Sequence, residues 1–229
     1  MRWPRAVQAA IPAPGSLHTR EPALAASRLN PRWQRGAAHA FVFDLDGTLT
    51  RPQHDFDAIR SALGIPMGRL ILEYIAEQPA ERARKLRADL DEIEVALAAK
   101  AAPAPGVREL LERARALGHP LGILTRNSRD NALAALRAIA ALDLFEDACI
   151  LGRDEARPKP DPDGLQRLCA AWRLPTTHCT MVGDSRLDLQ AGRAAGAYTV
   201  HVSRRGERYP EHTDLHVPSL ATLAALLAA

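Results

Sequence analysis

Two carboxylates stand two residues apart at the end of a short apolar run, in Phe41-Val42-Phe43-Asp44-Leu45-Asp46-Gly47-Thr48-Leu49-Thr50. A strand repeats every two residues, so Asp44 and Asp46 leave it on one side while Leu45 faces the other. Two acids about 4 Å apart, at an effective dielectric near 20, repel by roughly 4 kcal/mol. A divalent cation between them removes that cost. The bland alternative is a strand-end turn whose acids cap local amides. Three more polar segments downstream argue against it: Thr125-Arg126-Asn127, Arg157-Pro158-Lys159-Pro160-Asp161-Pro162 and Gly183-Asp184-Ser185-Arg186-Leu187-Asp188.

Each segment contains groups able to do chemistry. Asp184 and Asp188 are four residues apart, which puts them on one face of a helix beginning near 185; capping of that helix is the competing reading. Lysine is rare here, with Lys85, Lys100 and Lys159 set against 27 arginines. A lysine kept between two prolines in so arginine-biased a chain indicates a place where a compact point charge is wanted. The histidines, His54 and His119 among them, have no ligand spacing and read as structural or exposed. Arg51, Arg157 and Ser185 lie near these segments, and nothing ranks them.

The elements that must position these groups follow from periodicity. A strand leads into Asp44. Residues 52–103 then read as all helix: one capped by Asp55 with Phe56, Ile59 and Leu63 on a face, one over 67–78 with Met67, Leu70, Ile71, Tyr74 and Ile75, and one over 80–101. Pro103-Ala104-Pro105-Gly106 closes this insert. Alternation then resumes: helix 106–117, strand 121–125, helix 129–141, strand 148–151, helix 163–173, strand 179–182, helix 185–195, strand 198–202, strand 215–217 and a helix from Ser219. Strand–helix repetition implies an α/β fold, a Rossmann-like parallel sheet with helices on both faces. Ligands of such sheets bind beyond the carboxyl ends of the strands, where all four polar segments fall.

Residues 1–38, with Pro4, Pro12, Pro14, Pro22 and Pro31 and no sustained period, read as a leader that need not pack. Organellar transit peptides are similarly Arg-rich and acid-poor. The same alanine and arginine bias pervades the chain, however, which favours an uncleaved or mis-assigned start and a cytoplasmic protein. Residues 1–40 hold six arginines and one acid, so the net charge of +3 leaves −2 for the remainder. A basic face for nucleic acid is not apparent in that remainder, and no nucleic-acid partner is expected. No apolar run reaches membrane-span length. Cys149, Cys169 and Cys179 lack metal spacing and read as buried thiols of a reducing compartment.

The four segments, in this order, resemble the haloacid dehalogenase-like hydrolase superfamily, in particular its phosphoglycolate phosphatase-like branch. The resemblance covers residues 40–229, with Asp44-Leu45-Asp46-Gly47-Thr48 matching the family's DxDGT. It implies a core of 39–51 and 104–229 and a small helical cap of the C1 type over 52–103. It also implies a Mg²⁺-dependent phosphatase acting on a small phosphorylated metabolite through an aspartyl-phosphate. In that reading Asp44 is the nucleophile, Asp46 the general acid and base, and Lys159 neutralises the transferring group. Asp44, the carbonyl of Asp46 and Asp184 hold Mg²⁺, with Asp188 in support. Thr125 and the amide of Arg126 hold phosphate oxygens. The family more often has asparagine where Arg126 stands, so that side chain is open either to a second substrate anion or to solvent. A β-phosphoglucomutase-like phosphomutase shares the DxD pair and is the alternative enzyme. A non-catalytic binding protein of this fold is the alternative outside enzymology, and a metal-free dehalogenase has no need of Asp46. Neither the ester nor the oligomeric state is legible.

Overall fold

The computed structural model describes residues 39–203 and 208–227, together with Asn30, Trp33 and Ala37. Six parallel strands form one sheet in the order β3-β2-β1-β4-β5-β6: β1 Ala40–Phe43, β2 Leu121–Leu124, β3 Ile150–Leu151, β4 Cys179–Gly183, β5 Tyr198–Val202 and β6 Leu215–Val217. After β1 the chain builds outward through β2 and β3, then returns to β4 on the other flank of β1. The crevice of such a sheet opens at that reversal.

Alternation along β1 assigns the two core layers. Phe41 and Phe43 face α4 (Val107–Ala116), α5 (Arg129–Ala138) and α8 (Leu220–Leu226), whereas Val42 faces α6 (Asp163–Ala171) and α7 (Arg186–Ala195). Both phenylalanines are fully buried, and burial of each stabilises the fold by ~2 kcal/mol. This is the expected α/β sheet with helices on both faces. The three cysteines are buried free thiols. No helix among the described residues is long and apolar enough to cross a membrane.

Between β1 and α4 lie α1 (Phe56–Leu63), α2 (Ile71–Ala76) and α3 (Ala80–Ala98), which pack around a separate apolar cluster that includes Ile59, Ile75 and Leu90. Asp55 caps α1 by accepting from the Ala58 amide, and Gly64 ends it in the left-handed region. The two legs of this insert run side by side. Arg51 N–H donates to Ala102 O at 2.8 Å, and Ala104 N–H donates to Leu49 O at 2.9 Å. Thr50 and Pro103 form an antiparallel bridge between those bonds.

Several expectations need correction. The second helix of the insert starts at Ile71, not 67, because Gly68 sits at φ +76° and Leu70 is extended. Met67, Leu70 and Phe56, expected on buried faces, are exposed. The third helix stops at Ala98 rather than 101. Most of residues 1–38 lie outside the described residues, but a leader that need not pack is wrong at Trp33. That indole is 5% exposed, lies edge-on to Tyr198 and donates to Thr180 Oγ1 at 3.0 Å.

Candidate active site

The ends of two adjacent strands bring the acids together. Asp44 directly follows β1, Asp184 directly follows β4, and Asp188 sits in the first turn of α7. Carboxylate oxygens of these three residues lie within 4.8 Å of one another. Gly47 makes the approach possible: at φ +93°, a Cβ there would stand 2.4 Å from Asp184 Oδ2. Thr48 Oγ1 donates to Asp184 Oδ1 at 3.3 Å, and His201 Nε2 donates to the Asp184 carbonyl at 3.1 Å.

One cation answers the three acids. Lys159, on the loop between β3 and α6, is 2% exposed and donates to Asp44 Oδ1 at 2.6 Å and to Asp188 Oδ1 at 2.5 Å. Burial alone would lower its proton affinity, but Asp188 and Asp44 outweigh that and hold the ammonium above its ordinary value. The second oxygen of Asp188 accepts from the amide and hydroxyl of Ser185. Asp188 therefore fixes Lys159 as much as it supports a cation site, a contact that the four-residue spacing gave no hint of.

With three carboxylates against one ammonium, the cluster is short of positive charge. Burial, opposed by Lys159 and reinforced by the neighbouring acids, pushes Asp44 well above the usual carboxylate range. Burial and the charge of Asp188 push Asp184 up to about 7. Asp44 Oδ2 is buried and accepts no hydrogen bond from any described residue. Hard oxygens, an orphaned carboxylate atom and a charge deficit together fit a divalent cation.

Asp46 stands apart from this cluster, in the turn after β1. Its Oδ2 accepts from Thr125 Oγ1 at 3.5 Å and from Asn127 Nδ2 at 3.4 Å, and its Oδ1 is 3.9 Å from His54 Nδ1. Thr125 is buried at the end of β2, and its hydroxyl also accepts the Asn127 amide. Asp44, Asp46, Thr125 and Lys159 line one cavity of about 260 Å³, together with His54, Glu94, Ser185 and apolar residues of the insert.

Arg126 lines the cavity but is already paired with an acid rather than left to solvent. Its guanidinium makes two bonds to Glu73 of α2, at 2.9 and 2.7 Å, and also donates to Lys159 O. Burial works against the Glu73 carboxylate, but Arg126 wins and lowers it. A second clamp was missed altogether. Arg153, buried in the loop after β3, donates to Glu94 Oε2 at 2.7 Å and pairs with Asp91, both on α3. His54 was also missed as a cavity residue; its nearness to Asp46 in sequence was the available signal. Arg51 instead donates to Pro103 O, and Arg157 pairs with Asp161 on the exterior.

A family model described as haloacid dehalogenase-like hydrolase matches residues 38–196. Validoxylamine A 7'-phosphate phosphatase of Streptomyces hygroscopicus subsp. limoneus is 31% identical over 177 residues, 69% of this chain and 83% of that protein. A phosphoglycolate phosphatase of Mesorhizobium japonicum is 32% identical over 200 residues, 77% of this chain and 85% of the other. Among solved structures, a hydrolase from Pseudomonas syringae superposes with a TM-score of 0.70 at 24% identity, over 83% of this chain and 98% of that one.

Proposed function

The chain belongs to the haloacid dehalogenase-like hydrolase family and is a phosphatase of phosphate monoesters, and from that premise we propose that it is Mg²⁺-dependent and works through an aspartyl-phosphate on Asp44. The observation that carries this reading is the state of the Asp44 carboxylate. Lys159 fixes one oxygen, while the other is buried with no donor among the described residues. Such an oxygen is left for a cation or an electrophile, and a bland structural acid would not be kept that way.

Asp44 attacks the phosphorus atom as the bond to the ester oxygen breaks, and that oxygen takes its proton from Asp46. Thr125 and Asn127 hold Asp46 in place by donating to Oδ2. Asp46 then accepts a proton from water as the water oxygen attacks phosphorus. The bond from phosphorus to Asp44 breaks and inorganic phosphate leaves. Lys159, held by Asp188, neutralises negative charge on Asp44 and on the phosphoryl oxygens during both steps. Thr125 and the Arg126 amide take phosphate oxygens. Asp44, Asp184 and the Asp46 carbonyl would hold Mg²⁺, with Asp188 in support. When bound, the ion supplies the positive charge that lets an anionic nucleophile meet an anionic phosphate.

The substrate is a small phosphorylated metabolite, in keeping with the cavity of about 260 Å³. In this reading residues 52–103 form the cap and the rest of the described chain the core. The test is hydrolysis of p-nitrophenyl phosphate with and without EDTA, for the wild type and Asp44→Asn. Turnover should vanish with chelator, return with added Mg²⁺ and be absent in the variant. Chelator-insensitive turnover, or full activity in Asp44→Asn, overturns the mechanism.

A further inference from the structure

Beyond its phosphate end the cavity is lined by cap residues, among them Ile59, Leu72 and Leu90. Each arginine or lysine among its described lining residues already faces an acid. Lys159 holds Asp44 and Asp188, Arg126 holds Glu73, and Arg60 donates to Asp57 at 2.6 Å. A second anionic group on a substrate would thus meet no unpaired lysine or arginine among the described lining residues.

Glu94 is the acid that remains. It is 8% exposed, sits on α3 and lines the cavity, close enough to Asp46 for their charges to interact. Arg153 donates to its Oε2 but is shared with Asp91, and no described residue donates to Oε1. That oxygen is free to accept from a donor that a ligand brings into the cavity. Asp46 meets the ester oxygen in the mechanism above, and the alcohol beyond it occupies the cavity that Glu94 also lines.

We propose, resting on the phosphatase reading, that Glu94 selects the leaving group: the substrate is a phosphate monoester whose alcohol carries a hydroxyl or amino donor beside the ester carbon, and esters with a carboxylate there are rejected. Phosphoglycolate, with its carboxylate on the ester carbon, belongs to the rejected class. A donor satisfies Oε1. A carboxylate instead becomes another anion in a cavity that Glu94 and Asp46 line, where each described lysine or arginine is already paired.

The experiment compares kcat/KM of the full chain for glycerol 1-phosphate and phosphoglycolate at pH 8 with Mg²⁺, with p-nitrophenyl phosphate as the reference ester. Glycerol 1-phosphate should lead by about tenfold or more, the discrimination expected when like charges are juxtaposed in one of two complexes. Glu94→Gln, shown to be folded by circular dichroism, should shrink that ratio about fivefold or more, whatever happens to the absolute rates. Should the variant not fold, the wild-type ratio decides alone. A wild type that favours phosphoglycolate, or an unchanged ratio in the folded variant, overturns the inference while leaving the phosphatase intact. No turnover of any ester, the aryl phosphate included, overturns both.

Discussion

Replacing Lys159 by Met keeps the volume of the buried stem and removes only the charge, so packing loss is small. The ammonium holds Asp44 at 2.6 Å and Asp188 at 2.5 Å from a position 2% exposed. Without it, three carboxylates within 4.8 Å share no cation. Breaking a buried ion pair by removing one partner costs about 3–5 kcal/mol. Protonation is the escape, at about 1.4 kcal/mol for each pH unit above an ordinary Asp value near 3.9. That escape costs close to 6 kcal/mol at pH 8, so there the full loss of about 3–5 stands, whereas at pH 5 it costs under 2 and caps the loss. The sign is fixed by proton count: the folded variant keeps protons that its unfolded chain releases, so its stability falls as pH rises. Urea and thermal unfolding in EDTA, at pH 5 and pH 8, read this directly. At pH 8 the melting temperature should fall by about 6–20 °C relative to wild type. An equal penalty at both pH values, or one below about 1 kcal/mol at pH 8, would refute the reasoning.

Three further outcomes are expected. Gly47→Ala drives a methyl group to 2.4 Å from Asp184 Oδ2 and strains φ +93°, whereas Gly64→Ala, at φ +63°, meets nothing within 4 Å. The first should lower kcat/KM about 100-fold and the second should cost only about 1 kcal/mol of stability; equal effects on activity would sink the argument. Glu94, raised by burial from 4.5 to about 7, keeps its proton in the fold across that window while the unfolded chain loses it. Its contribution is therefore most favourable below pH 4.5 and is lost as pH climbs to about 7, and Glu94→Gln should flatten that slope of the stability–pH curve by on the order of 3 kcal/mol. Arg126→Leu frees a half-exposed Glu73, so it should cost only about 1 kcal/mol of global stability. It should also speed proteolysis within 52–103, and an unchanged cleavage rate would count against a role in holding the cap.

The sheet and its polar strand ends were legible because both are local signals. Ala40–Phe43, Leu121–Leu124 and Cys179–Gly183 are short apolar runs followed by a polar segment or turn, and each became a strand. Asp44, Thr125 and Asp184 inherit their positions from those runs. Contacts across the chain were not legible. Arg126 meets Glu73 from 53 residues away and Arg153 meets Glu94 from 59, and both pairs exist only because the insert folds back over the sheet. Nothing near Arg126 distinguishes a clamp from a substrate contact. Trp33 was hidden in the same way, since its acceptor Thr180 is 147 residues distant. The start of α2 was misjudged because hydrophobic spacing was given more weight than Gly68, whose positive φ breaks the helix.

The paired legs at Leu49–Arg51 and Ala102–Ala104 make the intervening fifty residues a cassette. Backbone bonds pair the two legs, with the Arg51 side chain adding one bond to Pro103 O, so the join places little demand on which other side chains lie there. Loop-closure entropy grows only slowly with the length of the excursion. A longer, shorter or unrelated helical module could be spliced between the same two points with the nucleophile strand undisturbed, and its selectivity would change with it.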